Sequence, residues 1–327
     1  FFHPHAAIPD PLWSRGLGDV YKRQTVLGAL NMDLIMDLER PAKPGETVVG
    51  KKFYTAPGGK GGNQAVAAAR VSKENSVIFL GSVGNDSYGT ELTNYLSNEN
   101  IITNEINIDK NNHSGIAIIF TDIDGENYVN AVYGANEIRN KEIINSFNKN
   151  IKNTKILITQ NEMDEKITLS CMEIASKNNI PIILDPAPFR SSLKNDYYKM
   201  ASIITPNEIE AEYMTGIEIK NIDDAKNAGK KLLDKKIKNI IITLGENGAF
   251  LVNNETEKYF PPYNVEKVKA SVAAGDAFTG ILGASLSSGI ILEEAIKIAV
   301  IGSALSTTKY GAQESMPYYS EIEEIIG

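Results

Sequence analysis

The chain has 327 residues, is 42% hydrophobic and 23% charged, and carries a formal net charge of −8. That length suits one large domain or a domain with a small appendage. The acidic balance, with no basic stripe, argues against nucleic acid and against an anionic membrane surface as partners. No apolar run approaches the ~18 residues that span a bilayer. The single cysteine, Cys171, excludes an internal disulfide and a thiolate metal cluster, which fits a cytoplasmic location.

Residues 1–24 stand apart. They hold the only tryptophan, Trp13, and two histidines, His3 and His5, with no helix or strand period. A basic start followed by an apolar core, the mark of a signal peptide, is absent. They are expected to be a non-native or disordered leader to a domain covering 25–327.

From Thr25 the pattern changes. Thr25 to Leu30 reads as a buried strand followed by Asn31-Met32-Asp33. An amide and a carboxylate just past a strand end suit paired hydroxyl groups of a ligand, or simply form a polar turn. A second strand is expected over 47–55. Then comes Pro57-Gly58-Gly59-Lys60-Gly61-Gly62-Asn63, a glycine-rich turn into an Ala-rich helix from Gln64 to Val71. It lacks the Gly-Lys-Ser/Thr of a Walker A loop and the third glycine of a dinucleotide fingerprint. It is either a flexible turn or a place where a ligand lies against backbone.

Strand and helix alternate from there: a strand over 76–83, a helix from Asp86-Ser87 to Asn98, and a hairpin over 113–121 and 126–133 around Asp124-Gly125. With the 47–55 strand the hairpin is expected to form a small antiparallel sheet, a lid drawn from about 34–56 and 113–133. Further strands end in Gln160-Asn161-Glu162, Asp185-Pro186-Ala187-Pro188 and Pro206-Asn207-Glu208-Ile209-Glu210. Glu162, Asp185, Asn207 and Glu210 are each caps or turn residues, or together suit a hydrated Mg²⁺. Ile240 to Leu244 leads into Gly245-Glu246-Asn247-Gly248, where Thr243 and Gly245 are candidates to meet nucleotide phosphate. A helix is expected from Leu292 to Lys309. The βαβ alternation predicts a mainly parallel central sheet with helices on both faces, a three-layer Rossmann-like sandwich.

The stretch 268–283 carries the chemistry. Small residues Ala273-Ala274-Gly275 precede Asp276 at the start of an apolar run with helical spacing. Unpaired N–H groups and the helix dipole attract an anion there. The carboxylate beside them is either an ordinary N-cap or a base for a hydroxyl attacking a bound phosphate.

Five motifs, in this order and spacing, resemble the ribokinase-like (PfkB) carbohydrate kinases over residues 25–327. They are Gly-Ala-Leu-Asn-Met-Asp at 28–33, Gly-Gly-Lys-Gly-Gly-Asn-Gln-Ala at 58–65, Thr-Pro-Asn-Glu-Ile-Glu-Ala-Glu at 205–212, Ile-Thr-Leu-Gly at 242–245 and Ala-Ala-Gly-Asp at 273–276. The resemblance implies ATP-dependent phosphorylation of a sugar with Mg²⁺, D-ribose being the expected acceptor. Asp276 matches the family's base, and Ala273, Ala274 and Gly275 its anion hole. Asn31, Asp33, Gly59, Lys60, Gly61, Asn63 and Glu162 match sugar-binding positions. Asn207, Thr243, Gly245, Gly248 and Gly275 match nucleotide contacts, and Glu210 matches a Mg²⁺ ligand acting through water. The small sheet matches a lid that also joins two copies in a homodimer. One position departs from the pattern: Ala270 stands where the family carries an Asp that binds a monovalent cation. Ser306, Lys309, Gly311 and Ser315 remain as candidates near such an ion, so activation by K⁺ is expected to be weak. Other readings are a kinase for deoxyribose, another furanose or a nucleoside, and a catalytically weak sugar-binding regulator. A Rossmann dehydrogenase is disfavoured by the missing glycine fingerprint.

Overall fold

A computed structural model describes residues 23–72, 76–123 and 127–327. Apolar runs such as Ile240-Ile241-Ile242 and Ile182-Ile183-Leu184 carry no polar alternation, so both faces of those strands need cover. They lie inside a nine-stranded sheet. Its order runs Glu257–Phe260, Ala249–Val252, Ile240–Thr243, Ile203–Ile204, Ile182–Leu184, Thr154–Thr159, Arg23–Leu27, Val77–Leu80, Ile101–Ile102. The pairings are parallel except at the end formed by Ile240–Thr243, Ala249–Val252 and Glu257–Phe260, which is antiparallel.

Helices cover both faces, as the alternation predicts. Lys60–Arg70, Ala274–Ser287 and Leu292–Ser306 pack on one side, and Lys141–Asn150, Glu165–Lys177 and Ile222–Asp234 on the other. Fully buried side chains such as Phe79, Phe147 and Phe278 anchor the two cores, each worth about 1.5–3 kcal/mol over exposure. Helix starts follow capping chemistry. Asp86 accepts from the Gly89 N–H at 2.7 Å. Asn207 and Glu210 form a reciprocal capping box on the helix Glu208–Thr215.

A separate four-stranded sheet has the order Lys52–Gly58, Asn31–Asp37, Gly115–Thr121, Asn127–Val132. It is not the purely antiparallel sheet expected. Asn31–Asp37 joins it as a strand and pairs in parallel with Gly115–Thr121, because the chain passes directly from the first central strand into the lid. Asn31 therefore begins a strand rather than a turn. The strand expected over 47–55 runs later, from Lys52 to Gly58. The dipeptide Asp124-Gly125 lies outside the described residues.

Other boundaries move as well. Arg23 and Gln24 belong to the first central strand, paired with Thr154 and Val77, and not to the leader. The glycine-rich stretch is no loop: the helix starts at Lys60, so Lys60, Gly61 and Asn63 form its first turn. Buried helix packing overrides the low helical propensity of glycine there. Gly61 lies against the end of the first strand, where an added Cβ would fall 2.6 Å from the Gly28 Cα. The helix expected to end at Lys309 stops at Ser306.

Candidate active site

Two helix N-termini converge at the C-terminal edge of the central sheet. One belongs to Lys60–Arg70, entered through Gly59 at φ +85°, a conformation that favours glycine. The other belongs to Ala274–Ser287 and is entered through Ala273, a non-glycine residue at φ +60°. That left-handed turn costs about 1–2 kcal/mol for an L-residue and aims the first-turn N–H groups outward. Ala274 N–H donates to the Ser271 carbonyl at 3.3 Å. Gly275 and Asp276 come too early in the helix to find a carbonyl within it. A Cβ added at Gly275 would meet nothing within 4 Å, so the nest faces open space.

Asp276 lies on this first turn and is buried. Asn63 Nδ2 donates to its Oδ2 at 2.8 Å, and Gln64 Nε2 to its Oδ1 at 3.0 Å. The Lys60 ammonium stands 3.7 Å from Asp276 Oδ1 and 3.8 Å from Asp185 Oδ2. Burial disfavours that ammonium, yet Asp276, Asp185, Glu162 and Glu210 outweigh it and hold Lys60 protonated beyond the ordinary lysine range. The Lys60 backbone N–H donates to Glu162 at 2.8 Å. Glu162 titrates above the usual carboxylate range, first because it is buried, with Lys60 opposing the shift.

The positions matched to hydroxyl binding lie on a lid strand, Asn31 and Asp33, and on the facing helix, Asn63. Asp33 is pushed up to about 7, mainly by burial and further by Glu162, Glu314 and Asp276. Gly58 lies against it, and a Cβ there would strike the Asp33 carboxylate. Asn31 Oδ1 accepts from Asn136 Nδ2 at 3.0 Å, which leaves its amide to donate elsewhere. Asn63 Oδ1 is buried and has no partner among the described residues. A ligand with hydroxyl groups would satisfy both.

On the other side of the Gly275 nest is a cleft of about 590 Å³. Asn207, Thr243, Gly245, Gly248, Ala274 and Gly275 line it, so the nucleotide candidates and the nest share one cavity. Glu210 lies beneath: its carboxylate accepts from the Asn207 N–H at 2.8 Å, and burial raises its pKa against that bond. No cluster of three metal-ligating side chains occurs among the described residues. A divalent cation would therefore depend on phosphate and water oxygens, which suits Mg²⁺ with Glu210 as an outer partner. Asp185 does not join Glu210 as expected; it turns to Lys60 and to Gln64, which donates to it at 2.8 Å.

The monovalent cation positions supply no negative side chain to such an ion. Ala270 offers no charge, and the Thr307 carbonyl already accepts from the Lys269 and Ala270 N–H groups at 2.8 and 3.2 Å. The Ser306 and Ser315 hydroxyls donate to the Ser303 and Ala312 carbonyls. Lys309 is ion-paired with Glu321 at 2.7 Å, and Gly311 turns the loop at φ +91°.

Sequence reading missed Gln64, Gln160 and Asn136 as contributors to this site. One signal was available for Gln64: it stands four residues after Lys60, on the same helix face.

Comparison with known proteins agrees with the geometry. The family model for pfkB family carbohydrate kinases matches residues 22–318. A ribokinase of Haemophilus influenzae is 34% identical over 305 residues, covering 93% of this chain and 98% of its own length. A deoxyribokinase of Salmonella typhimurium is 32% identical over 301 residues, covering 92% and 97%. The solved structure of Arabidopsis thaliana ribokinase complexed with ribose and ATP matches with a TM-score of 0.86 at 25% identity, covering 94% of this chain and 99% of that one. The chain belongs to the pfkB family of carbohydrate kinases and is a sugar kinase of the ribokinase type.

Proposed function

We propose that this kinase transfers the γ-phosphoryl group of ATP to the primary hydroxyl of D-ribose, giving D-ribose 5-phosphate and ADP. The observation that carries this reading is the position of Asp276: its carboxylate lies one residue from the Gly275 nest on the nucleotide cleft and is bonded to Asn63, whose Oδ1 is unpaired among the described residues.

Asp276 takes the proton of the attacking hydroxyl. The new bond forms between that oxygen and the γ-phosphorus, the bond to the bridging oxygen breaks, and ADP leaves with the electron pair. The N–H groups at Gly275 and Asp276, at the positive end of the helix, stabilise charge on the transferring group. The Lys60 ammonium stands 3.7 Å from Asp276 and places a positive charge beside the base. Asn31, Asp33 and Asn63 orient the sugar hydroxyls, and Gly59 and Gly61 let it approach the backbone. Bound Mg²⁺ would neutralise phosphate charge, with Glu210 as its partner through water. No step runs through K⁺.

Deoxyribose is the second reading, favoured by the deoxyribokinase relative at nearly the same identity. ADP release from Mg-ATP with ribose, 2-deoxyribose, hexoses and nucleosides separates these. Fastest turnover per KM with ribose supports the first reading. Preference for deoxyribose replaces it, and no ADP release with any acceptor points to a sugar-binding regulator.

Two copies are proposed to join through the lid. Strand register places Phe53, Ile118, Tyr128 and Val132 on its outer face, opposite Asp33. They are 60%, 42%, 43% and 58% exposed, an apolar face of the kind that proteins cover.

A further inference from the structure

Gln64 has no exposure at all. Its single amide nitrogen donates to two carboxylates, Asp185 Oδ2 at 2.8 Å and Asp276 Oδ1 at 3.0 Å. Its oxygen accepts from Gln160 Nε2 at 2.6 Å. The carboxylates fix which way round the amide sits, because an ionised carboxylate only accepts, and the amide oxygen is then left facing the Gln160 N–H. Two carboxylates bridged by one nitrogen repel in a dry site when both are ionised, and burial, opposed by Lys60 and reinforced by Asp276, pushes Asp185 up to about 7. Lys60, nearly equidistant from both, supplies charge. A flexible ammonium contributes little direction, whereas a planar amide anchored at its oxygen contributes direction without charge.

We propose that Gln64 is a positioning residue for phosphoryl transfer: tethered by Gln160, it spaces Asp276 from Asp185 and fixes the side-chain rotamer from which Asp276 takes the hydroxyl proton. Gln64 acts only through Asp276, to which it donates at 3.0 Å. Asp185 is the second arm of the device and acts through Lys60 and Gln64. This rests on Asp276 being the base, so Asp276→Asn is measured alongside.

The test is steady-state ADP release with Mg-ATP and the sugar turned over fastest, for the full chain and for Gln64→Leu, Asp185→Asn and their combination. Loss of a hydrogen bond to a charged group predicts a roughly 10- to 100-fold fall in kcat for Gln64→Leu, with the KM for ATP within about twofold. Adding Asp185→Asn removes the repelling charge and is expected to restore at least about threefold of that loss. A packing defect alone would not be relieved this way. Gln64→Leu with kcat within twofold overturns the proposal, and so does an impaired variant that Asp185→Asn does not improve. Should Gln64→Leu lose its cooperative unfolding transition, Gln160→Met releases only the tether; a fall of about three- to tenfold in kcat supports the role, and an unchanged kcat overturns it. Near-normal kcat in Asp276→Asn would instead sink the base assignment, whatever the Gln64 variants do.

Discussion

The nine-stranded sheet and the lid are built from the same kinds of residue and do different work. In the central sheet, Ile240, Ile241 and Ile242 are all buried because helices cover both faces. In the lid the cover is uneven: on the face opposite Asp33, Met32 is fully buried against the body while Phe53 and Val132 are 60% and 58% exposed. The first sheet is a fixed frame whose strand ends carry Asp185 and Glu162, beside the helix start that carries Asp276. The second carries Asn31 and Asp33 inward and an apolar surface outward. Catalysis should therefore fail through the frame, sugar affinity through the lid's inner face, and assembly through its outer face.

The largest effect tests the frame. Asp276→Asn keeps shape and removes the base, so kcat is expected to fall by ~10²- to 10⁴-fold with the sugar KM little changed; a variant with near-normal kcat would break the division. Next comes the inner face. Asp33→Ala, and Asn63→Ala on the facing helix, should raise the sugar KM roughly 10- to 100-fold and the ATP KM far less. Equal rises in both would move those residues out of the sugar pocket.

The outer face is addressed by Ile118→Lys with Val132→Lys. A dimer at micromolar concentration should become a monomer in sedimentation, with kcat retained at saturating sugar. Wild-type protein that already sediments as a monomer would refute the dimer.

A smaller effect separates stability from function. Asp33 in the folded protein holds its proton up to about 7 because it is buried among Glu162, Glu314 and Asp276, against ~3.9 when unfolded. The folded state thus binds more protons between these values, and stability falls as pH rises from about 4 to about 7. Asp33→Asn should raise the ligand-free Tm by roughly 2–8 °C at pH 8 and hardly at all at pH 4. Calorimetry showing the same shift at both would exclude this linkage.

The smallest concerns the cation. With Ala270 uncharged, kcat in potassium and in tetramethylammonium chloride at equal ionic strength should agree within about twofold. Strong activation by potassium would show that backbone carbonyls suffice.

The parallel sheet was legible in the sequence because strands covered on both faces read as unbroken apolar runs, and the caps Asp86 and Asn207 announce their helices. Asp276 and its nest stood out only through the five motifs together, because small residues before an acid also make an ordinary N-cap. Less visible was the start of the helix at Lys60: glycines argue locally for a loop, and only close packing against Gly28 makes them helical. The parallel pairing of Asn31–Asp37 in the lid, and the Gln64 bridge to two distant carboxylates, depend on residues far apart in the chain. No local pattern encodes them.

The strand Arg23–Leu27 ends in the central sheet and Asn31–Asp37 begins in the lid, with only residues 28–30 between them. On the proposed reading, two of the groups that grip the sugar, Asn31 and Asp33, therefore ride on the lid's own root, and swinging the lid turns Asp33 with respect to Asp276. An open lid is then more than an uncovered cleft: it is a pocket whose parts are out of register. Water reaching Asp276 in that state meets no complete acceptor site, so ATP is protected from wasteful hydrolysis. ADP release in the absence of sugar reads that protection directly, and a rate close to the sugar-dependent one would deny it.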